Sequence, residues 1–117
     1  GSTLPSPNYK LVVEGAVSAR RIKVQQSGWA DYVFHPGYEL PPLQEVENFV
    51  SKQQHLPGIP SEKEVKEEGL DLGEFDRKLL KKVEELTLYI IQLNKRVYNL
   101  NEQVATQQKI ISSLTGK

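Results

Sequence analysis

Two histidines, His35 and His55, are the side chains in this sequence best suited to bind a metal ion or to transfer protons. They lie 20 residues apart without a paired spacing such as His-x-x-x-His, and the chain of 117 residues contains no cysteine. Metal sites usually need several such ligands at close spacing. We therefore expect no metal ion and no cofactor, and we expect His55 to cap the preceding helix or to pack beside Pro57.

The charged side chains balance, with 15 Lys and Arg against 15 Asp and Glu. A nucleic-acid-binding protein normally carries a basic surplus that neutralises phosphates, so we expect no nucleic-acid partner. No apolar run approaches the ~20 residues that span a bilayer. The glutamates of residues 62–68 are expected to form a solvated helix face. The basic clusters at 20–23 and 77–82 are expected to pair with glutamates of a neighbouring chain.

Aromatic side chains are concentrated in a stretch rich in Gly and Pro, residues 25–42. They could form a platform that binds a glycan, or they could form a core. Because residues 1–74 carry only 26 of the 44 apolar side chains, we favour a core that neighbouring chains complete. We expect Trp29 and Tyr32 to lie buried against the start of the C-terminal helix of a neighbouring chain, near Leu72, Phe75 and Leu79. The predicted inter-chain core consists of Trp29, Tyr32, Phe34 and Phe75.

The elements that must position these side chains begin with a β-like pattern between Tyr9 and Val24. Apolar residues alternate with polar ones on both sides of Gly15, which predicts two short strands around a glycine turn or bulge. Two short strands are marginally stable alone, so this part should need partners. The apolar residues are Leu11, Val13, Val17, Ile22 and Val24.

Two short helices are predicted next. The pair Pro41-Pro42 opens a helix of about 13 residues with one apolar face, and the run His-Leu-Pro-Gly-Ile-Pro at 55–60 ends it. Ser61 and Glu64 have the spacing of a capping box. This spacing predicts a short charged helix that ends at Gly69.

The strongest pattern is a heptad repeat in an uninterrupted helix over residues 74–115. At ~1.5 Å per residue this helix is roughly 60 Å long, too long to bury its apolar stripe on a small domain, so it should pair with copies of itself. Ten of eleven a and d positions are apolar. The predicted oligomerisation seam is Leu79, Val83, Leu86, Ile90, Leu93, Val97, Leu100, Val104, Gln107, Ile111 and Leu114.

The number of helices in the coiled coil stays open between two and three. β-branched residues at a with leucine at d favour a parallel dimer. Apolar side chains at e (Leu80) and at g (Tyr89 and Ile110), together with the lack of opposite charges at e and g, give a wider stripe that favours a trimer.

The sequence thus predicts an α+β protein with short N-terminal strands, a small mixed segment with two short helices, and a long C-terminal coiled-coil helix. Gly1-Ser2 resembles the remnant of a removed tag, so residues 1–8 are expected to be tag remnant and linker. Residues 9–73 form the compact segment and residues 74–115 the coiled-coil helix.

Four sequence blocks follow one another within residues 9–100. They are WADYVF at 29–34, YELPPLQEVE at 38–47, HLPGIPS at 55–61, and LDLGEF at 70–75 with LLKKVEELTLY at 79–89. Together they resemble the C-terminal region of bacterial and phage tail-fibre-like proteins, which is similar to the endosialidase-type intramolecular chaperone domain. The resemblance implies a homotrimer at the end of a fibre, an upstream fibre segment that folds in register, and a virion, tail-like particle or extracellular fibre as the location.

Some members of that chaperone family cut themselves before a serine in a pattern like Ser-Asp-x-Arg-Leu-Lys. This chain has Ser-Ala-Arg-Arg-Ile-Lys at 18–23, which departs at Ala19. The chemistry needs a hydroxyl nucleophile and a neutral base, and no residue close in sequence would desolvate Lys23 and so lower its pKa. We therefore expect a non-enzymatic trimerisation and folding module. The alternatives are a Ser18/Lys23 self-protease and a fibre tip that binds a cell-surface receptor or glycan.

Overall fold

The computed structural model of the chain describes residues 8–25, residue 29 and residues 31–116. These residues contain three helices, α1 (Leu43–Gln53), α2 (Glu62–Glu68) and α3 (Leu72–Thr115). Helix accounts for 59% of the described residues and strand for none. The predicted α+β class is therefore wrong, because helix is the only regular secondary structure in the described part of the chain. The predicted tag remnant and linker lie outside the described residues except for Asn8.

The two predicted N-terminal strands are absent from the described residues 8–25, which are irregular and exposed. The chain bends at Glu14 and Gly15, and the φ of +144° at Gly15 is one that glycine adopts easily. The glycine was thus correctly recognised as a break in the chain. Strands, however, exist only where their N–H and C=O groups pair with another strand. An alternating apolar pattern does not by itself supply that strand.

Both short helices form where the sequence predicts them. Helix α1 follows Pro42 and ends at Gln54, whose backbone N–H donates to the carbonyl of Val50 at 2.9 Å. Helix α2 has the predicted capping box, in which Ser61 Oγ accepts from the Glu64 N–H at 3.2 Å and Glu64 Oε1 accepts from the Ser61 N–H at 3.4 Å. These reciprocal bonds satisfy two amides that a helix start otherwise leaves unpaired.

Helix α3 has 44 residues. At ~1.5 Å per residue it is about 66 Å long, and it makes up most of the 87 Å length of a molecule about 30 Å wide. It starts two residues before the predicted position, because the Asp71 carboxylate accepts from the Glu74 N–H at 3.0 Å and caps the helix. It ends at Gly116 in the left-handed conformation. A helix of this length is compatible with a coiled coil.

Residues 31–71, here called the docked segment, lie against the first part of α3. Val33 is the most buried side chain among the described residues, with 2% of its surface exposed. After Tyr89 every described residue is exposed. We call residues 90–115 of α3 the stem. The docked segment and the first turns of α3 therefore make a small core, and none of the described residues buries any part of the stem.

Candidate functional site

The docked segment covers one side of α3 and leaves the heptad seam open. Between Glu74 and Tyr89, all ten residues at positions b, c, f and g are buried or half-buried, and all six at a, d and e are exposed. The exposed residues are Asp76, Leu79, Leu80, Val83, Leu86 and Thr87. We call the a, d and e side of α3 the open face. The single chain thus buries the outer side of the helix and presents the side that a coiled coil would use.

The open face carries a continuous apolar stripe. All eleven seam residues are exposed, and the ten apolar ones range from 43% at Leu79 to 81% at Leu114. The stripe runs for about 50 Å along the helix at ~1.5 Å per residue. Large contiguous apolar surfaces of this kind mark sites of association. The open face is the candidate functional site.

A buried carboxylate holds the docked segment on the outer side of α3. Glu85 is only 5% exposed, and Tyr38 donates its phenolic proton to Glu85 Oε2 at 2.6 Å. Lys82 Nζ donates to Glu85 Oε1 at 3.0 Å. A second tyrosine, Tyr89, donates its hydroxyl proton to the carbonyl of Pro41. We call these four side chains the Glu85 clasp. Both oxygens of the buried carboxylate are paired, as a buried charge requires.

The clasp was not anticipated from the sequence. Lys82 and Glu85 are three residues apart on one helix, a spacing that allows an ion pair. Tyr38 lies 47 residues before Glu85, and no local pattern connects them. Tyr89 had been assigned to the wide seam, but it is buried by its own docked segment. Of the apolar side chains that widened the stripe, only Leu80 and Ile110 are exposed.

Both tyrosines of the clasp are held in the neutral form. Burial raises the pKa of Tyr38 well above its ordinary value, and the hydrogen bond to Glu85 and the negative charge of that carboxylate raise it further. Burial also raises the pKa of Tyr89, with smaller contributions from the charges of Glu85 and Glu45. The two hydroxyls therefore act as hydrogen-bond donors.

Alkaline titration should reveal the clasp. Above the ordinary tyrosine pKa of 10.0, the unfolded chain loses protons that the folded chain keeps on Tyr38 and Tyr89. The two tyrosines therefore contribute their whole stabilisation to the free energy of unfolding below this pH. That contribution is lost as the pH rises toward their raised pKa values. Ultraviolet absorbance of tyrosinate should show a late-titrating component that shrinks in Tyr38→Phe and Tyr89→Phe. The exposed stem variant Tyr98→Phe should keep that component, and its loss there would contradict this account.

The predicted inter-chain core is only partly covered within one chain. The centroids of the Tyr32 and Tyr38 rings are 5.7 Å apart. Lys81 Nζ lies 5.5 Å from the centroid of the Tyr32 ring. Trp29 and Phe34 are 56% and 54% exposed. Phe75 is half-buried beside a cavity that Pro60 and Leu70 also line. Within one chain Trp29 and Tyr32 are both exposed, so their predicted burial would have to come from the helix of a neighbouring chain. Whether another chain covers them stays a prediction.

The residues considered for catalysis and metal binding are not gathered into a site. Ser18 and Lys23 are both exposed in the irregular segment. His55 packs edge-to-face on Phe49 at 5.3 Å, and its Nδ1 lies 3.0 Å from the carbonyl oxygen of Leu56. The part of the chain that the structure describes contains no His, Asp and Glu group able to hold a metal ion. No helix in that part has the length and apolar character needed to cross a membrane.

Comparisons with family models, with curated proteins and with solved structures give no match. A functional assignment therefore depends on the open face and on what its geometry can bind.

Proposed function

We propose that this chain is a non-enzymatic trimerisation and folding module of a fibre-like protein, in which three α3 helices form a parallel coiled coil. The observation that carries the proposal is the open face, because between Glu74 and Tyr89 only the a, d and e positions of α3 are exposed, whereas the others are buried or half-buried. The occupant is a second and a third copy of the same chain. Each copy brings an identical stripe with the same heptad spacing, which knobs-into-holes packing requires.

The exposed stem supports self-association. An isolated helix gains too little from its own hydrogen bonds to be stable in water, and tertiary packing supplies most helical stability. All 26 residues of the stem are exposed in the part of the chain that the structure describes. Its a and d side chains would become buried if three stems wound around each other. Self-association is thus what would make such a stem stable.

The residues at positions e and g favour a parallel coiled coil, in which neighbouring helices would contact each other without ion pairs. In parallel coiled coils, a g residue of one helix faces the e residue five positions later in the next helix. This rule pairs Phe75 with Leu80, an apolar pair, and Gln103 with Gln108, an amide pair. At the d position Gln107, the amides of the copies would meet near the axis, and such a polar layer fixes register. The exposed Leu80 and Ile110 widen the stripe toward three strands.

A parallel trimer would also bring the three irregular segments, residues 8–25, to the same end of the bundle. Holding chain segments together raises their effective concentration and lowers the entropic cost of further assembly. The upstream fibre segment of the same protein is therefore the second partner that we propose.

The assembled protein should have a molar mass three times that of the 13.3 kDa protomer. Light scattering during size-exclusion chromatography measures this mass. Because the chain contains no cysteine, Leu114→Cys introduces a unique thiol at the end of the seam. In a parallel coil these thiols meet and form inter-chain disulfides, whereas an antiparallel coil separates them. A mass of two or four protomers, or absence of the disulfide, would count against the parallel trimer.

Trp29 should become shielded when the chains assemble. In the single chain 56% of its surface is exposed, so iodide should quench its fluorescence in a monomeric variant and should quench it much less in the trimer. The chain has one tryptophan, which makes the signal specific.

A receptor- or glycan-binding fibre tip is the second candidate function, favoured by the exposure of Trp29 and Phe34. Strong iodide quenching of Trp29 in the assembled protein would support this platform and would remove these residues from the inter-chain core.

A further inference from the structure

The docked segment has two edges that border the open face on opposite sides. At the first edge lies the loop of residues 54–60. A Cβ added at Gly58 would lie 3.9 Å from Lys82 Cε, so the loop passes over the g position. At the second edge, Tyr32 lies over Lys81 and shares a cavity with Arg77, the residues at f and b. The loop edge and the aromatic edge are therefore on different flanks of α3.

The order of heptad positions around the helix determines what each edge meets. Successive residues turn by about 100° around the axis, which gives the order a, e, b, f, c, g, d. The open face is thus bounded by g on one flank and by b on the other. Because g of one helix faces e of the next in a parallel coil, the loop edge of one chain is directed toward the e position of its neighbour. The neighbour's e residues on either side of the level of Lys82 are Leu80, two residues earlier, and Thr87, which the g-to-e rule places opposite Lys82.

Both surfaces carry exposed apolar side chains. Leu56 protrudes from the loop edge and Leu80 lies exposed at e. Trp29 and Phe34, which lie close to Tyr32 in the sequence, are also exposed. We infer that the 54–60 loop of one chain covers Leu80 of the next chain, on the flank where that chain's aromatic edge lies. This inference rests on the proposed parallel assembly, and it adds a contact outside the coiled-coil seam.

The contact is heterologous, because the loop edge of one chain meets a different surface of the next. A heterologous contact closes into a ring when the rotation between chains closes. The rotation that relates the chains of a parallel coiled coil closes in this way. The loop edge of each chain then contacts the next chain, and the loop edge of the previous chain contacts it in turn. The docked segments would form a collar around residues 74–89 of the coil, and the stems below would be held by the seam alone.

Disulfide formation between two single-cysteine chains tests the collar. Leu56→Cys and Leu80→Cys chains with tags of different length are unfolded together, refolded as mixed assemblies and oxidised. Each chain has one thiol, so a disulfide between the two tags can only join different chains. We expect this mixed disulfide as the main oxidised product. As a matched control, Leu56→Cys is mixed with Gln92→Cys, whose thiol lies at c on the outer side of the helix. No mixed disulfide is expected there.

Two outcomes separate the inference from the proposed function. If the Leu114→Cys disulfide and the trimeric mass are found but Leu56→Cys does not link to Leu80→Cys or to Thr87→Cys, the collar is wrong and the trimer stands. If the trimeric mass and the Leu114→Cys disulfide are also lost, the proposed function fails with it. The second acceptor, Thr87→Cys, covers the case in which the Leu80→Cys chain does not fold.

Discussion

Replacement of Leu93 by aspartate is expected to abolish assembly and to unfold both the stem and the docked segment. Leu93 occupies a central d position and is exposed in the single chain. In a trimer, three aspartates would meet near the axis, and each buried unpaired charge costs several kcal/mol. The monomer that results keeps only a small core around Val33 and an unpacked stem. Light scattering should report one protomer, and circular dichroism should report loss of most of the helix.

The matched control is Gln92→Asp, which introduces the same residue one position earlier. Gln92 lies at c, and it is exposed on the outer side of the stem. Leu93→Asp and Gln92→Asp add the same charge and change the helix propensity by similar amounts. The two variants therefore differ in their position relative to the seam. Gln92→Asp should remain trimeric and helical. A Leu93→Asp chain that stays assembled would exclude the seam, and a monomeric chain with full helix content would show that folding does not depend on association.

Replacement of Glu85 by alanine is expected to release the docked segment while the trimer persists. The change removes the acceptor for Tyr38 and Lys82 and leaves a cavity behind. Breaking a buried ion pair typically costs 3–5 kcal/mol, and Lys82, whose side chain is 20% exposed, can turn toward water. We therefore expect the free energy of unfolding to fall by about 3 kcal/mol. Denaturant titration measures the loss, and limited proteolysis should cut within residues 31–71 at sites that stay protected in the wild type.

Two further variants identify what the carboxylate contributes. Glu85→Gln keeps an oxygen that can accept from Tyr38 but removes the charge, so it should be intermediate between the wild type and Glu85→Ala. Glu102→Ala, at an exposed stem position, should change stability by less than about 0.5 kcal/mol. Wild-type stability and protease resistance in Glu85→Ala would show that the clasp does not hold the docked segment.

The local patterns of the sequence predicted local structure well. The heptad repeat predicted α3, and the spacing of Ser61 and Glu64 predicted the start of α2, because these signals depend on residues within one or two helical turns. Exposure in the single chain also separates the a, d and e positions from the rest of α3 between Glu74 and Tyr89. That separation comes from packing and was not used in assigning the heptads.

Contacts between distant residues could not be predicted in the same way. Tyr38 and Glu85 are 47 residues apart, and Tyr89 and Pro41 are 48 apart. A count of apolar residues indicated that the region around Trp29 needs a core, but it did not indicate that Val33 would enter it while Trp29 stays exposed. The prediction of two N-terminal strands was wrong for a related reason. Alternation marks which side chains share a face and gives no information on whether a pairing strand lies within reach.

The position of the stem after the docked segment gives assembly a fixed order during protein synthesis. A ribosome makes residues 8–71 before residues 90–115, so a growing chain exposes its loops and short helices well before it can bind another chain. If the stem is the associating element, a chain whose translation stops early within this region lacks most of the seam and stays outside the trimer. Incorporation would then be limited to chains translated through the stem, and prematurely terminated polypeptides would be left for proteases.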